Sequence, residues 1–353
     1  MNFETLVINP GSTSTKVAVY RGDEKLFQEE LSHPMAEIET YKSISDQFDF
    51  RTKAILKVIE DNDYDLTNLS AVVGRGGLLR PIESGTYDVT EKLKEDLRIG
   101  VSGQHACNLG GLIADEIAQQ YDIPAYIVDP VVVDELKAVA RVSGTEVVER
   151  TSVFHALNHK AVGRIAAKEQ GTTYDKRNYV IAHLGGGVSV AAHEQGKVID
   201  VNNALGGEGP FSAERAGGLP LYDFMQATKD WPEDKIYKTL IGKGGLVSYL
   251  GTNDLREVEK AIASGDDKAQ LIFEAMAYQV GKEIGANAAS LKGKIDGVVL
   301  TGGLSRSEKF VKEISAYIDW IAPIIVVPGE DEMGALNQGA QRVLAKIEDV
   351  KHY

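Results

Sequence analysis

Apolar positions run through the start of LVINPGSTSTK, residues 6–16, then give way to glycine, serine and threonine before the stretch ends on Lys16. The VAVY that follows is β-branched and aromatic, so the pattern predicts strand, tight turn, strand. Residues 46–60, DQFDFRTKAILKVIE, carry apolar positions at helical spacing, and LSAVVGRGG reads as a short buried strand entering a glycine turn. HACNLGGLIADEIAQQY reads as a helix after a loop and IPAYIVDP as a strand closed by Asp129 and Pro130. A further helix is expected to begin near Val132, and SVFHALNHKAVGRIAAKE is helical by its apolar spacing.

From Tyr179 the register changes. YVIAHLGGGVSVAAHEQGKVID reads strand, glycine turn, strand, short turn, strand, which repeats the plan of TLVINPGSTSTKVAVYRGDEKLFQEEL half a chain earlier. A long apolar-periodic helix, AQLIFEAMAYQVGKEIGANAAS, precedes IDGVVLTGGLSRSEKFVKEISAYI, a buried strand ending in Gly302 and Gly303 at the expected start of a helix. A strand giving way to a glycine pair there is a seat for a phosphate or a ribose. APIIVVPGEDEMGALNQGAQRVLAKI adds a strand, an acidic turn and a final helix. With no short-period repeat, the self-similarity predicts two related α/β halves, each a mixed sheet flanked by helices. Two such halves facing each other across a cleft make the architecture of actin-like, ribonuclease H-like ATPases. The expected division is 1–147 with 334–353 as one domain and 148–333 as the other, the second carrying the nucleotide.

At 353 residues the chain exceeds one ordinary core, in keeping with two domains. It is 43% hydrophobic, with no apolar run long enough to cross a bilayer, and MNFETLVINP has no basic leader, so a cytoplasmic protein is expected. One cysteine, Cys107, excludes an intrachain disulfide and a multi-cysteine zinc site, and reads as a small core residue. The net charge of −14 argues against nucleic acid or an anionic membrane as partner. An anionic substrate must then meet locally concentrated arginines.

The opening hairpin is not a Walker-A loop, because Thr15 rather than glycine precedes Lys16 and a strand rather than a helix follows. Backbone N–H groups and hydroxyls at such a tip can still form an anion-binding concavity, and a plain polar hairpin tip is the other reading.

Asn9-Pro10-Gly11-Ser12-Thr13-Ser14-Thr15-Lys16 resembles the first signature of the acetate and butyrate kinase family across its whole length. His183-Leu184-Gly185-Gly186-Gly187-Val188-Ser189 resembles the second, with Gly186 where acetate kinases usually carry asparagine. The likeness continues in order through Arg75 with its glycines, His105, Asp129-Pro130, FHALNH, ERAGGLP, NDLR, TGGL and EDEM. INPGSTSTK, HLGGG and ERAGGLP are nearer the forms of the butyrate-kinase branch.

The resemblance implies reversible transfer of the γ-phosphoryl of ATP to a short-chain carboxylate, giving an acyl phosphate and ADP, with Mg2+ arriving on the nucleotide. It implies a homodimer or higher homo-oligomer. By the same match Arg75, Asp129, His155 and Arg215 are catalytic, and Asn9 and Glu332 meet the metal or its waters, with Glu330 a competing choice. Gly11, Ser12, Thr13, Lys16, His183, Gly185, Gly186, Gly187, Asp254, Arg256, Gly302 and Gly303 are matched to nucleotide binding, with Leu304 beside them. His105 matches another cleft histidine, and His159 shares the helical face of His155. Planar guanidinium forks suit carboxylate and phosphate oxygens, which is the chemistry such a reaction requires. Asp129 reads equally as an end-of-strand turn residue. An acetate or branched-chain acid kinase, a sugar kinase of the same fold, and a nucleotide-gated binding module are the alternatives. The last requires a separate peptide-binding segment, and none is expected.

Overall fold

The computed structural model describes residues 3–353. The chain divides into two compact units, Met1–Val133 with Asp331–Tyr353, and Asp134–Glu330.

In the first unit, β1 (Glu4–Pro10), β2 (Ser14–Arg21) and β3 (Glu24–Ser32) form an antiparallel meander, and β4 (Ala71–Arg75), β5 (Thr86–Asp88) and β6 (Ala125–Val128) extend it in the order β3-β2-β1-β4-β6-β5. β4 and β6 run parallel to β1. Strand alternation sends Leu6, Ile8, Val17, Val19, Val72 and Ile127 to one face. There they meet α1 (Phe48–Asp61) and α2 (Asn108–Gln119) through Ile55, Ile59, Leu109 and Ile113. A Cβ on Gly74 would stand 2.1 Å from the Gly110 carbonyl oxygen, and one on Gly110 would stand 2.4 Å from that of Arg75. Glycine on both elements lets α2 lie directly on β4, which fixes the strand end carrying Arg75.

In the second unit, β7 (Asn178–Leu184), β8 (Val188–Glu194), β9 (Lys197–Val201), β10 (Gly297–Gly302) and β11 (Ile324–Pro328) are ordered β11-β10-β7-β8-β9. Read from the other edge, this is the order of the first sheet without β5. Even the irregularity repeats, since register shifts at Val19/Tyr20 in β2 and at Ala192/His193 in β8. Val180, Ala182, Leu184, Val188 and Val190 face α4 (Leu255–Ala263), α5 (Asp267–Ser290) and α6 (Glu308–Ile318). Tyr179, Ile181 and Val299 pack with Val162 and Ala166 of α3 (Ala156–Glu169) on the other face. The chain then returns to the first unit as α7 (Glu332–Leu344), capped by Asp331, where Thr5 donates to Asn337 at 2.7 Å.

Three expectations need correction. No helix begins near Val132: Val133 bridges Ile82, and the next helix is a single turn, Ala138–Arg141. Glu135 instead accepts from Lys160 and from the Val198 amide, while the Lys137 amide donates to Ile199, which pins the segment to β9. These bonds also place the first division at residue 133, earlier than 147, and the Asp331 cap places the second at 330/331. Finally, a 3-10 turn, Gly303–Arg306, separates the Gly302-Gly303 pair from α6, whose cap is Ser307.

Candidate active site

At the first hairpin tip the Gly11 amide donates to Ser14 O at 2.8 Å. Beneath it lies Arg51 of α1, fully buried, donating to Gly11 O (2.9 Å), Ser14 O (3.0 Å), Thr15 Oγ1 (2.9 Å) and Ser12 O (3.1 Å). Thr13 O accepts from the His33 amide at 2.7 Å. With its carbonyls so occupied, the tip offers a ligand N–H groups and the exposed Ser12 and Thr13 hydroxyls.

At the end of β1, Asn9 Nδ2 donates to Glu332 Oε2 at 2.7 Å, and Arg75 pairs with Glu332 Oε1. Burial opposes ionisation of Glu332, but the Arg75 charge, the Arg75 and Asn9 hydrogen bonds and the Lys16 charge outweigh it and hold the carboxyl below its ordinary value. Glu332 is thus an acidic residue hydrogen-bonded to Asn9. Asp129 is buried with φ +39°, its Oδ1 accepting from Ser84 Oγ (2.6 Å) and Gly85 N (2.8 Å). That carboxylate oxygen shapes the 84–85 loop. His105 accepts the Cys107 amide on Nδ1, and lost solvation with the charges of Arg75 and Arg51 lowers its pKa. Burial pushes the Cys107 thiol up to about 11, which keeps it an inert core residue.

The second hairpin is built alike: Gly185 N donates to Gly187 O, and Gly186 O accepts from Ser212 Oγ (2.5 Å) and Glu214 N (3.2 Å). Arg215 packs across this tip, where a Cβ on Gly187 would stand 2.0 Å from Nη1, and donates to Ala204 O at 2.5 Å. A groove of about 650 Å³ is lined by Gly185, Gly186, Asp254, Arg256, Gly303 and Leu304, with Glu330 at its edge. Gly302 has φ +89° and sits where a Cβ would be 2.4 Å from Leu184 O, whereas nothing lies within 4 Å of a Cβ on Gly303. The first glycine serves the fold and the second leaves room in the groove. Asp254 caps α4 and pairs with Arg256 at 2.6 Å, and these hydrogen bonds with the Arg256 charge lower its pKa to about 2.

His155 stands just before the first turn of α3 and meets Ser189 Oγ through Nδ1 at 2.9 Å. His183 ends β7, accepts from Asn158 Nδ2 at 2.9 Å, and stacks on His155 with ring centroids 3.8 Å apart. Its Nε2 lies 3.8 Å from Glu330 Oε2.

Sequence reasoning missed Arg51, Asn158, Ser189 and His193. Arg51 carried a signal, a charge in register with Ile55 and Val58 on the apolar stripe of α1. The others look like ordinary helix and strand residues until β8 lies against α3.

Two mixed sheets of one strand order, each opening on a glycine hairpin, define an α/β chain of the actin-like ATPase fold. The acetokinase family profile matches residues 135–320. A protein of Listeria monocytogenes named "Probable butyrate kinase" is 55% identical over 355 residues, covering 100% of both chains. Acetate kinase of Porphyromonas gingivalis has a similar structure, with TM-score 0.76, 23% identity, 97% of this chain and 100% of that one covered. A propionate kinase of Francisella tularensis gives TM-score 0.73 at 20% identity over 96% and 98% of the two chains. The chain belongs to the acetokinase family.

Proposed function

We propose that this protein transfers the γ-phosphoryl of ATP to butyrate, reversibly, giving butyryl phosphate and ADP. The observation that carries this reading is the full-length likeness to the Listeria "Probable butyrate kinase". The residues support it chemically. Phosphoryl transfer leaves a protein the work of positioning and charge neutralisation, and the guanidinium forks of Arg75 and Arg215 are assigned to acceptor and phosphoryl oxygens. His155 donates a hydrogen bond to the transferring group. The groove lined by Gly185, Gly186, Asp254, Arg256 and Gly303 takes the nucleotide, and its volume is that of an ordinary ligand site.

Mg2+ fits the donors present. Among the described residues no group of three His, Cys, Asp or Glu could hold a metal, so the protein offers a few oxygens, those of Asn9 and Glu332. That suits an ion which keeps most of its waters and rides on phosphate, where it would neutralise charge on the β- and γ-oxygens. A single cysteine fits a reducing cytoplasm, and the exposed apolar side chains Leu221, Tyr222 and Met225 fit a homodimer or larger homo-oligomer, which light scattering would reveal. Among the described residues no helix is long and apolar enough to cross a membrane.

Hydroxamate trapping with ATP, Mg2+ and acids from acetate to pentanoate, isobutyrate included, tests the proposal. Two methylenes at about 0.8 kcal/mol each predict roughly ten-fold higher kcat/KM for butyrate than for acetate. Acetate as the best acid would overturn the choice of substrate. Arg75→Ala and Arg215→Ala should each lower kcat by orders of magnitude with unchanged circular dichroism.

A further inference from the structure

Behind His155 a file of polar side chains runs through the interior of the second unit. Ser189 Oγ, which meets His155 Nδ1, also meets His159 Nε2 at 2.8 Å. His159 Nδ1 meets His193 Nε2 at 3.1 Å, and His193 Nδ1 meets the Tyr174 hydroxyl at 2.5 Å. Ser189, His159 and His193 are 0% exposed and Tyr174 is 8% exposed. The rings of His159 and His193 lie nearly parallel, 8° apart.

A buried file of this kind has a direction. Each neutral imidazole donates from one nitrogen and accepts at the other, and a serine has one proton to give, so fixing one end fixes every member. Both inner rings are neutral: burial first, with the charge of Lys160 added to it, holds His159 and His193 well below the ordinary imidazole value. The end is fixed by chemistry, because a phenol O–H is a stronger donor than acceptor and a neutral imidazole nitrogen is a good acceptor. Tyr174 therefore donates to His193 Nδ1. The His193 proton is then on Nε2 and goes to His159 Nδ1, the His159 proton on Nε2 goes to Ser189 Oγ, and the Ser189 proton goes to His155 Nδ1.

We infer that Tyr174, His193, His159 and Ser189 are positioning residues that hold the proton of His155 on Nε2, making its outer nitrogen a hydrogen-bond donor. This deepens the proposed function and rests on it only for the use made of that donor. A developing phosphoryl negative charge is served by N–H, whereas the other tautomer would turn a lone pair toward it. The stacked His183 agrees, since its Nδ1 accepts from Asn158 and its proton is likewise on Nε2.

The test is the tautomer of His155 in the 15N-labelled, ligand-free full-length protein, read by long-range 1H–15N correlation and assigned against His155→Gln. The expected result is a protonated Nε2 and an unprotonated Nδ1. Tyr174→Phe removes the directing donor and should leave a mixture of the two tautomers, with kcat falling at least about two-fold while KM for ATP stays put, as the competent fraction drops. His193→Gln, whose amide can accept from Tyr174 and donate to His159, should keep the proton on Nε2. Protonated Nδ1 in the wild type, or an unmoved His155 tautomer in Tyr174→Phe, would overturn the inference. Because the readout needs no substrate, it stands or falls apart from which acid is phosphorylated.

Discussion

Arg51 and Glu332 show how single side chains prepare this chemistry. Arg51 holds the hairpin carbonyls from beneath, so Arg51→Ala strands several partly buried acceptors and should lower the unfolding free energy by about 3 kcal/mol in urea denaturation. Arg51→Lys should recover less than half, because an ammonium cannot reach those acceptors as a planar fork does. Glu332 carries a pH dependence. Its folded-state pKa lies below the ordinary 4.5, so the folded form releases that proton more readily than the unfolded chain. The stability it contributes is therefore fully present above that value and lost as pH falls through the lowered one. Glu332→Gln should flatten the acid limb of the urea midpoint measured against pH, leaving the neutral region displaced by a constant amount.

At the level of elements, the glycine pair ending β10 separates fold from function. Gly302→Ala puts a Cβ against Leu184 O at a positive φ and should cost about 1–3 kcal/mol or more of stability. Gly303→Ala meets nothing, so its thermal midpoint should barely move while KM for ATP rises as the methyl group intrudes on the groove. Differential scanning fluorimetry beside initial-rate kinetics reads both. Such pairs also mark how far the sequence could be read. The strand-turn-strand plans were legible, because period-2 burial and glycine turns are local. The glycines of VVGRGG read as a turn, and only the approach of Gly110 shows that Gly74 serves packing. The stretch after Val132 has helical composition, yet bonds to β9 and α3 override it.

For the whole molecule, the repeated sheet order was readable from one motif occurring twice, and the family from motifs kept in order. The His155 to Tyr174 file was not, because its members lie on two helices and a strand whose register depends on the shift at Ala192/His193. The clearest consequence at this scale concerns α7. Deleting residues 331–353 strips one face of the first sheet, so hydrogen exchange should quicken in β1, β4 and β6 while β7 and β10 keep their protection. The same arrangement sets a timetable for synthesis. The strands of the first unit leave the ribosome roughly two hundred residues before the helix that covers them, a wait of about 10–40 s at ordinary translation rates. The second unit, contiguous in the chain, is made during that interval and completes its sheet only just before the last helix emerges, while Val7, Val73 and Val128 of the first stay open to solvent. A nascent chain stalled before residue 331 should accordingly be held by a chaperone at its N-terminal third, and released once the last helix has emerged.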